Sequence, residues 1–218
     1  MKEISVAVFD NGRRVVLLDA KVALAEKGVE YKEEDLTNKS PLLLQMNPFH
    51  KTIGVLIHND ETINESLIIA EYIDEAWKGQ APLLLSDRDQ RAQAKFWADF
   101  VGSKVHGVGK RIWAANVEEH EQAKKELILN LKQLEEALGD KPNFGGDTFG
   151  LVDVALIPFY KWFYVYETIG YLKVEAECPK IVEWAKRCLQ RGSVQKSLAD
   201  KKEIYEVVLG HRKKLQLD

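Results

Sequence analysis

Asn64-Glu65-Ser66-Leu67-Ile68-Ile69-Ala70-Glu71-Tyr72-Ile73 sets a carboxylate and a hydroxyl at the point where a short strand hands over to an amphipathic helix. A helix start presents backbone N–H groups without intrahelical partners, together with the positive end of the helix dipole. Such a junction receives a carboxylate well, and Glu65 beside it can hold an ammonium group. A capping pair is the plain alternative, so the meaning of the junction depends on its surroundings. Immediately after it, Ile68, Ile69, Tyr72, Ile73 and Trp77 recur at helical spacing and predict a helix over 65–77 with these residues on one face. Immediately before it, Ile53 to His58 and Glu61 to Asn64 read as two strands joined at Asn59-Asp60.

Towards the N-terminus the same mixture continues. Ile4 to Asp10 alternates and branches like a strand. Lys21 to Lys27 is helical and ends at Gly28, a left-handed cap. Glu30 to Asp35 reads as a second strand, and Ser40-Pro41 opens a short helix carrying Leu42, Leu43 and Leu44. The order β-α-β-α-β-β-α describes an α/β layer over 1–79. Residues 80–87 form a linker in which Leu83-Leu84-Leu85 would pin the two halves together, and Ser86 with Asp89 reads as the cap opening the second domain. From 88 to 218 the pattern is helical, with helices expected at 88–116, 118–138, 151–168, 179–190 and 201–212, separated by breaks such as Phe144-Gly145-Gly146-Asp147.

Composition narrows the function classes. The chain has 218 residues, 45% apolar and 30% charged, with a net charge of −3, which argues against a nucleic-acid or anionic-membrane partner. No apolar run reaches membrane-spanning length, and Met1-Lys2-Glu3-Ile4 does not begin a secretory leader, so a cytoplasmic location is expected. Cys178 and Cys188 lie ten apart, outside any Cys-x-x-Cys pair, and are expected as plain thiols. The five histidines, His50, His58, His106, His120 and His211, are scattered, so no metal site is expected.

Five segments taken together carry a resemblance. They are 38–48 (NKSPLLLQMNP), 55–59 (VLIHN), 65–69 (ESLII), 91–99 (RAQAKFWAD) and 150–156 (GLVDVAL). In order and spacing this set is similar to the plant tau-class glutathione transferases, from about residue 20 to the C-terminus. The resemblance implies a thioredoxin-like N-terminal domain that binds glutathione, an all-α C-terminal domain with a hydrophobic electrophile site, and a homodimer. The implied activity is conjugation of glutathione, as co-substrate, to hydrophobic electrophiles. Residue by residue, Glu65 and Ser66 would bind the glutamyl end of glutathione and Lys39 its glycine carboxylate, while Ile53 would pair through its backbone with the cysteinyl unit. His106 and Lys110, on the helix that lines the family's electrophile pocket, would be its walls with Trp162. Gly150 and Asp153 would be the family's helix-capping pair.

Two departures bear on activity. Tau members activate the thiol with a serine after the first strand, and no serine lies between Ser5 and Ser40. Aligned without a gap, Arg14 falls on that position, where a cation can stabilise a thiolate. Read locally, Asp10-Asn11-Gly12-Arg13 is a two-residue hairpin signal and Val15-Val16-Leu17-Leu18-Asp19 becomes the first strand. Neither reading supplies the hydroxyl. Gly54 stands where the family has a cis-proline, and a cis bond before a non-proline costs about 2.5–4 kcal/mol. The alternative reading is therefore a non-catalytic carrier, or ligandin, for hydrophobic ligands. Gly102, Gly107 and Gly109 weaken their helix by up to about 1 kcal/mol each and widen the space beside His106. Glu118 to Glu121 and His211 to Lys214 read as solvated helix ends.

Overall fold

The computed structural model describes residues 5–6, 18–33, 55–59, 61–79, 81–114 and 117–217. Among these residues four short strands form one sheet: β1 (Ser5–Val6), β2 (Lys32–Glu33), β3 (Val55–His58) and β4 (Glu61–Asn64), in the order β2-β1-β3-β4. β1 runs parallel to β2, with Ser5 opposite Lys32, and antiparallel to β3, with Ser5 opposite Ile57. A parallel neighbour needs a crossover, which α1 (Leu18–Glu26) supplies. β3 and β4 are a hairpin with Val55 opposite Asn64 and His58 opposite Glu61. Its turn carries Asn59 at φ 55°, a left-handed conformation that asparagine accepts more readily than most residues.

These pairings decide between the two N-terminal readings. Ser5 and Val6 occupy the strand position between β2 and β3, while Leu18 and Asp19 are the first turn of α1. The strand over Val15 to Asp19 is thus corrected, because its last two residues are helical. The expected hairpin at 10–13 and the short helix opened by Ser40-Pro41 lie outside the described residues. At its other end α1 stops as expected: Val29 N–H donates to Leu24 O (2.9 Å) and Gly28 N–H to Ala25 O (3.1 Å), with Gly28 at φ 62°. This paired closure uses a residue without a Cβ, for which a positive φ carries no steric penalty.

The helix α2 (Ser66–Ala76) packs on α1 and buries Ile69, Ala70 and Ile73. Ile68 is 58% exposed, which corrects its expected place on the buried face. Tyr72 Oη and Trp77 hold His58, the first by a 2.8 Å hydrogen bond and the second by ring stacking at 4.8 Å. Below α2, Asp74 ties three segments: it takes Lys27 Nζ (2.7 Å) and the backbone N–H groups of Leu83 (2.8 Å) and Leu84 (3.1 Å). Leu83 and Leu84 are buried and Leu85 is half-buried, so two of the three leucines anchor this connection.

Beyond the linker the described chain is helical: α3 (Arg88–Phe100), α4 (Gly107–Ala114), α5 (Val117–Leu138), α6 (Leu151–Gly170), α7 (Val174–Glu177), α8 (Pro179–Cys188), α9 (Gly192–Ser197) and α10 (Lys201–Lys214). The cap of α3 is Asp87, whose carboxylate accepts from Asp89 N–H (3.1 Å) and Gln90 N–H (2.9 Å), rather than Ser86. The helix expected over 88–116 is interrupted by a π-helical stretch, Val101–His106. Widened turns displace backbone hydrogen bonds, and side chains take up the slack here: Ser103 Oγ donates to Asp99 O (3.0 Å) and Asn130 Nδ2 to Lys104 O (3.0 Å). α6 is the hub, packed against α1, α2, α3, α4, α8 and α10, with most of its residues buried. No helix among the described residues is long and apolar enough to cross a membrane.

The start of α6 is held by a buried carboxylate. Asp153 accepts from Gly150 N–H (2.9 Å), Phe144 N–H (3.0 Å) and Trp184 Nε1 (2.7 Å), joining the helix start, the preceding loop and α8. The expected Gly150 and Asp153 pair is thus in place, with Asp153 as its polar half. Burial still pushes this carboxyl above its ordinary range, against the hydrogen bonds that favour its charge.

Candidate functional site

Glu65 is the hinge between β4 and α2, with φ 69° and ψ 123° and no side-chain capping bond. A non-glycine residue with positive φ already carries strain, and this ψ lies beyond even the left-handed helical well. Such strain of roughly 1–3 kcal/mol persists where surroundings impose it and clusters at binding sites. Glu65 O nevertheless accepts the first intrahelical bond, from Ile69 N–H (2.8 Å). The twist leaves the Glu65 side chain exposed, with Ser66 half-buried as the first helical residue. Asn64, just before them, keeps a buried Oδ1 that no donor among the described residues reaches.

Ser66 faces a cavity of about 60 Å³ between the sheet half and the helical half. Asp19 from α1, Gly102 and His106 from the π-helical stretch, and Pro158 and Phe159 from α6 share its wall. The His106 ring lies 5.6 Å from that of Phe159. Of the three glycines expected to widen the space beside His106, Gly102 lines this cavity, whereas Gly109 makes room for Tyr166, whose Cζ would lie 2.5 Å from a Cβ there, and Gly107 is not in the cavity wall.

Asp19 is the residue that sequence reading missed. It is 7% exposed, its Oδ1 accepts from Ala20 N–H (2.9 Å), and its carboxyl is hydrogen-bonded to Ser66. Burial pushes this carboxyl up to about 7, while the hydrogen bonds from Ser66 and the backbone pull it the other way. In sequence, Asp19 was only the last residue of the strand-like run Val15 to Asp19, a place that points to no site chemistry.

Other expected wall residues are dispersed. Trp162 is buried on α6 with its ring 6.3 Å from Trp113 and 6.4 Å from Tyr166, and its Nε1 has no acceptor among the described residues. Lys110 is exposed on α4. Neither borders the cavity that holds Ser66. His211 and Arg212, expected in solvent, turn back onto this aromatic cluster: the His211 ring is 6.2 Å from Trp113, and Arg212 donates to Trp113 O (3.0 Å). Arg14, Lys39, Ile53 and Gly54 lie outside the described residues.

A larger hollow of about 520 Å³ lies between the linker, α3 and the loop before α6, with Trp97 and Phe144 in its wall. It borders neither Ser66 nor His106, so the smaller cavity is the better centre for chemistry. Cys178 and Cys188 are buried free thiols, and burial raises both, Cys178 to about 11, so neither offers a ready thiolate.

Comparison with known proteins agrees with this architecture. Residues 4–75 match the glutathione S-transferase N-terminal domain family and residues 117–187 the glutathione S-transferase C-terminal domain family. The probable glutathione S-transferase parC of Nicotiana tabacum is 59% identical over 201 residues, covering 91% of this chain and 91% of that protein. Among solved structures, rice GST1, crystallised in complex with glutathione, superposes with a TM-score of 0.89 at 40% identity over 98% of this chain and 99% of its own. The tau-class enzyme of mango, Mangifera indica, gives a TM-score of 0.86 at 33% identity, with 98% of each chain covered. With a thioredoxin-like N-terminal half, an all-helical C-terminal half and identities of this order along nearly the whole length, the chain belongs to the glutathione S-transferase family, within the plant tau class.

Proposed function

We propose that the protein binds glutathione at the β4–α2 junction and conjugates it to hydrophobic electrophiles, with thiol activation weaker than a serine would give. The observation that carries this reading is Glu65, held at φ 69° next to Ser66, which lines a cavity that also reaches His106. The glutamyl end of glutathione carries one ammonium and one carboxylate. Glu65 supplies the acid for the first, and the Ser66 hydroxyl with the free N–H groups of α2 receives the second. Lys39 would hold the glycine carboxylate, Ile53 would pair with the cysteinyl amides, and Arg14 would stabilise the thiolate by charge. The electrophile would lie against His106 and Phe159, with Lys110 and Trp162 further along the helical wall.

The division into residues 1–79, a linker at 80–87 and 88–218 follows from the same reading, as do a cytoplasmic location and a homodimer. For the dimer, α2 and α3 offer a joint surface. Ile68 and Phe96 are each 58% exposed there, and Lys95 to Glu71 (2.6 Å) and Arg91 to Glu75 (3.9 Å) link the two helices beside them. Exposed apolar residues ringed by charges suit an interface between copies.

An ultraviolet titration of glutathione with the purified protein tests the proposal. Bound thiolate absorbance appearing well below the pH at which free glutathione ionises supports it, and Arg14→Ala should then return the bound thiol towards the free value. Binding without any shift would replace catalysis with carriage of ligands, and absence of binding would remove the glutathione site.

A further inference from the structure

Asp19 stands where the two halves of the site meet, and the first half of its chemistry is already visible in its bond to Ser66. A serine hydroxyl has one hydrogen to give and lone pairs to receive, whereas an ionised carboxylate can only accept. With Asp19 ionised, the Ser66 hydrogen is committed to it, and Ser66 turns lone pairs to an incoming ligand. With Asp19 protonated, the carboxyl O–H donates to Ser66 Oγ and frees the serine hydrogen to donate outward. Resting on the reading of Ser66 as the receptor for the glutamyl carboxylate, we propose that Asp19 is a positioning residue that sets the polarity of the Ser66 hydroxyl. Neutral Asp19 lets Ser66 donate to the ligand carboxylate, ionised Asp19 refuses it, and glutathione binding therefore carries a proton with it.

Two further observations support the coupling. Burial pushes Asp19 up to about 7, so both forms are present near neutrality. The ligand carboxylate and an ionised Asp19 would share one hydroxyl inside a small cavity, where like charges repel strongly. Among the described residues, the groups around Asp19 are few in kind. α2 contributes Ser66, with the exposed Glu65 one residue earlier, and the π-helical stretch contributes the His106 imidazole. α6 brings the apolar Ala155, Pro158 and Phe159 to the cavity wall. α9 meets the far end of α1, where Arg191 and Ser193 engage Glu26, and its Lys196 is exposed. Lys21 and Lys27 are the basic residues of α1 and of the turn after it, and Lys27 is paired with Asp74.

The test is calorimetric titration of S-methylglutathione, whose thiol cannot ionise, from pH 5.5 to 8.0. For the natural protein, Kd should be level at the acid end and rise by up to about tenfold per pH unit above 7, with proton uptake on binding measured in buffers of different ionisation enthalpy. Asp19→Asn should flatten both, while His106→Gln should keep the slope. Level binding with no proton uptake in the natural protein overturns the inference and leaves the glutathione site standing, and this measurement needs no variant to fold. A slope lost in His106→Gln and kept in Asp19→Asn also overturns it, by assigning the proton to the imidazole. No binding of S-methylglutathione at any pH removes the site itself, and the role of Asp19 with it.

Discussion

Glu65 is held at φ 69° and ψ 123°, and its backbone strain and its carboxylate can be separated by two substitutions. Glu65→Ala removes the carboxylate but keeps a Cβ, hence the strain. Glu65→Gly removes both. The relief is about 1–3 kcal/mol for a residue in a sparsely populated region, and glycine gives back about 0.4–1 kcal/mol through the greater freedom of its unfolded chain. Glu65→Gly should therefore be more stable than Glu65→Ala, by about 1 kcal/mol at the centre of that range. Binding should follow a different ordering, because the exposed carboxylate is the group proposed to meet the ligand's ammonium. A hydrogen bond to a charged group is worth about 1.5–3 kcal/mol, so both variants should bind S-methylglutathione roughly 10- to 100-fold more weakly than the natural protein. Urea unfolding followed by tryptophan fluorescence gives the first comparison, and calorimetry the second. Equal or lower stability of the glycine variant would refute the claim of strain. Affinity retained within threefold in Glu65→Ala would refute the assignment of the ammonium to Glu65.

Asp19 also predicts a pH dependence of stability. Its folded carboxyl is raised to about 7 from 3.8, so the stability it contributes is complete below the unfolded value and is lost as pH rises through the folded one. From this group alone the natural protein should lose roughly 3 kcal/mol between pH 5 and pH 8, and urea curves at the two pH values should show Asp19→Asn losing correspondingly less. Asp153→Ala leaves the donors of Gly150, Phe144 and Trp184 unsatisfied, at about 1–3 kcal/mol each if water does not enter; an unchanged urea midpoint would show that the network is dispensable. In Gly109→Ala the new Cβ would lie 2.5 Å from Tyr166 Cζ and nearer still to its hydroxyl. Tyr166 is 1% exposed, so overpacking should cost about 1–3 kcal/mol in thermal or urea unfolding.

Much of the fold was legible because local physics agreed with tertiary packing. Gly28 ends α1 since the closing turn needs a left-handed residue, and Ile69 and Ile73 are buried since four-residue spacing returns to one side of a helix. The hairpin of β3 and β4 and the α6 cap at Asp153 came from turn and capping chemistry that acts within a few residues. The Glu65-Ser66 junction could be located for the same reason, along with the segments that resemble the tau class. What only the tertiary structure decided depends on groups far apart in sequence. Val15 to Asp19 had a strand-like pattern, yet the place between β2 and β3 is taken by Ser5 and Val6, and Leu18 and Asp19 coil into α1. Ile68 is outward because the core chose Ile69 and Ile73, and no pattern of apolar residues says which edge of an apolar face will be left uncovered. The π-helical break at Val101–His106 relies on Asn130, from another helix, to satisfy a displaced carbonyl. Asp19 looked like the end of a strand; burial against Ser66 is a property of the packed site, and desolvation, which sequence does not record, is what pushes its carboxyl up to about 7.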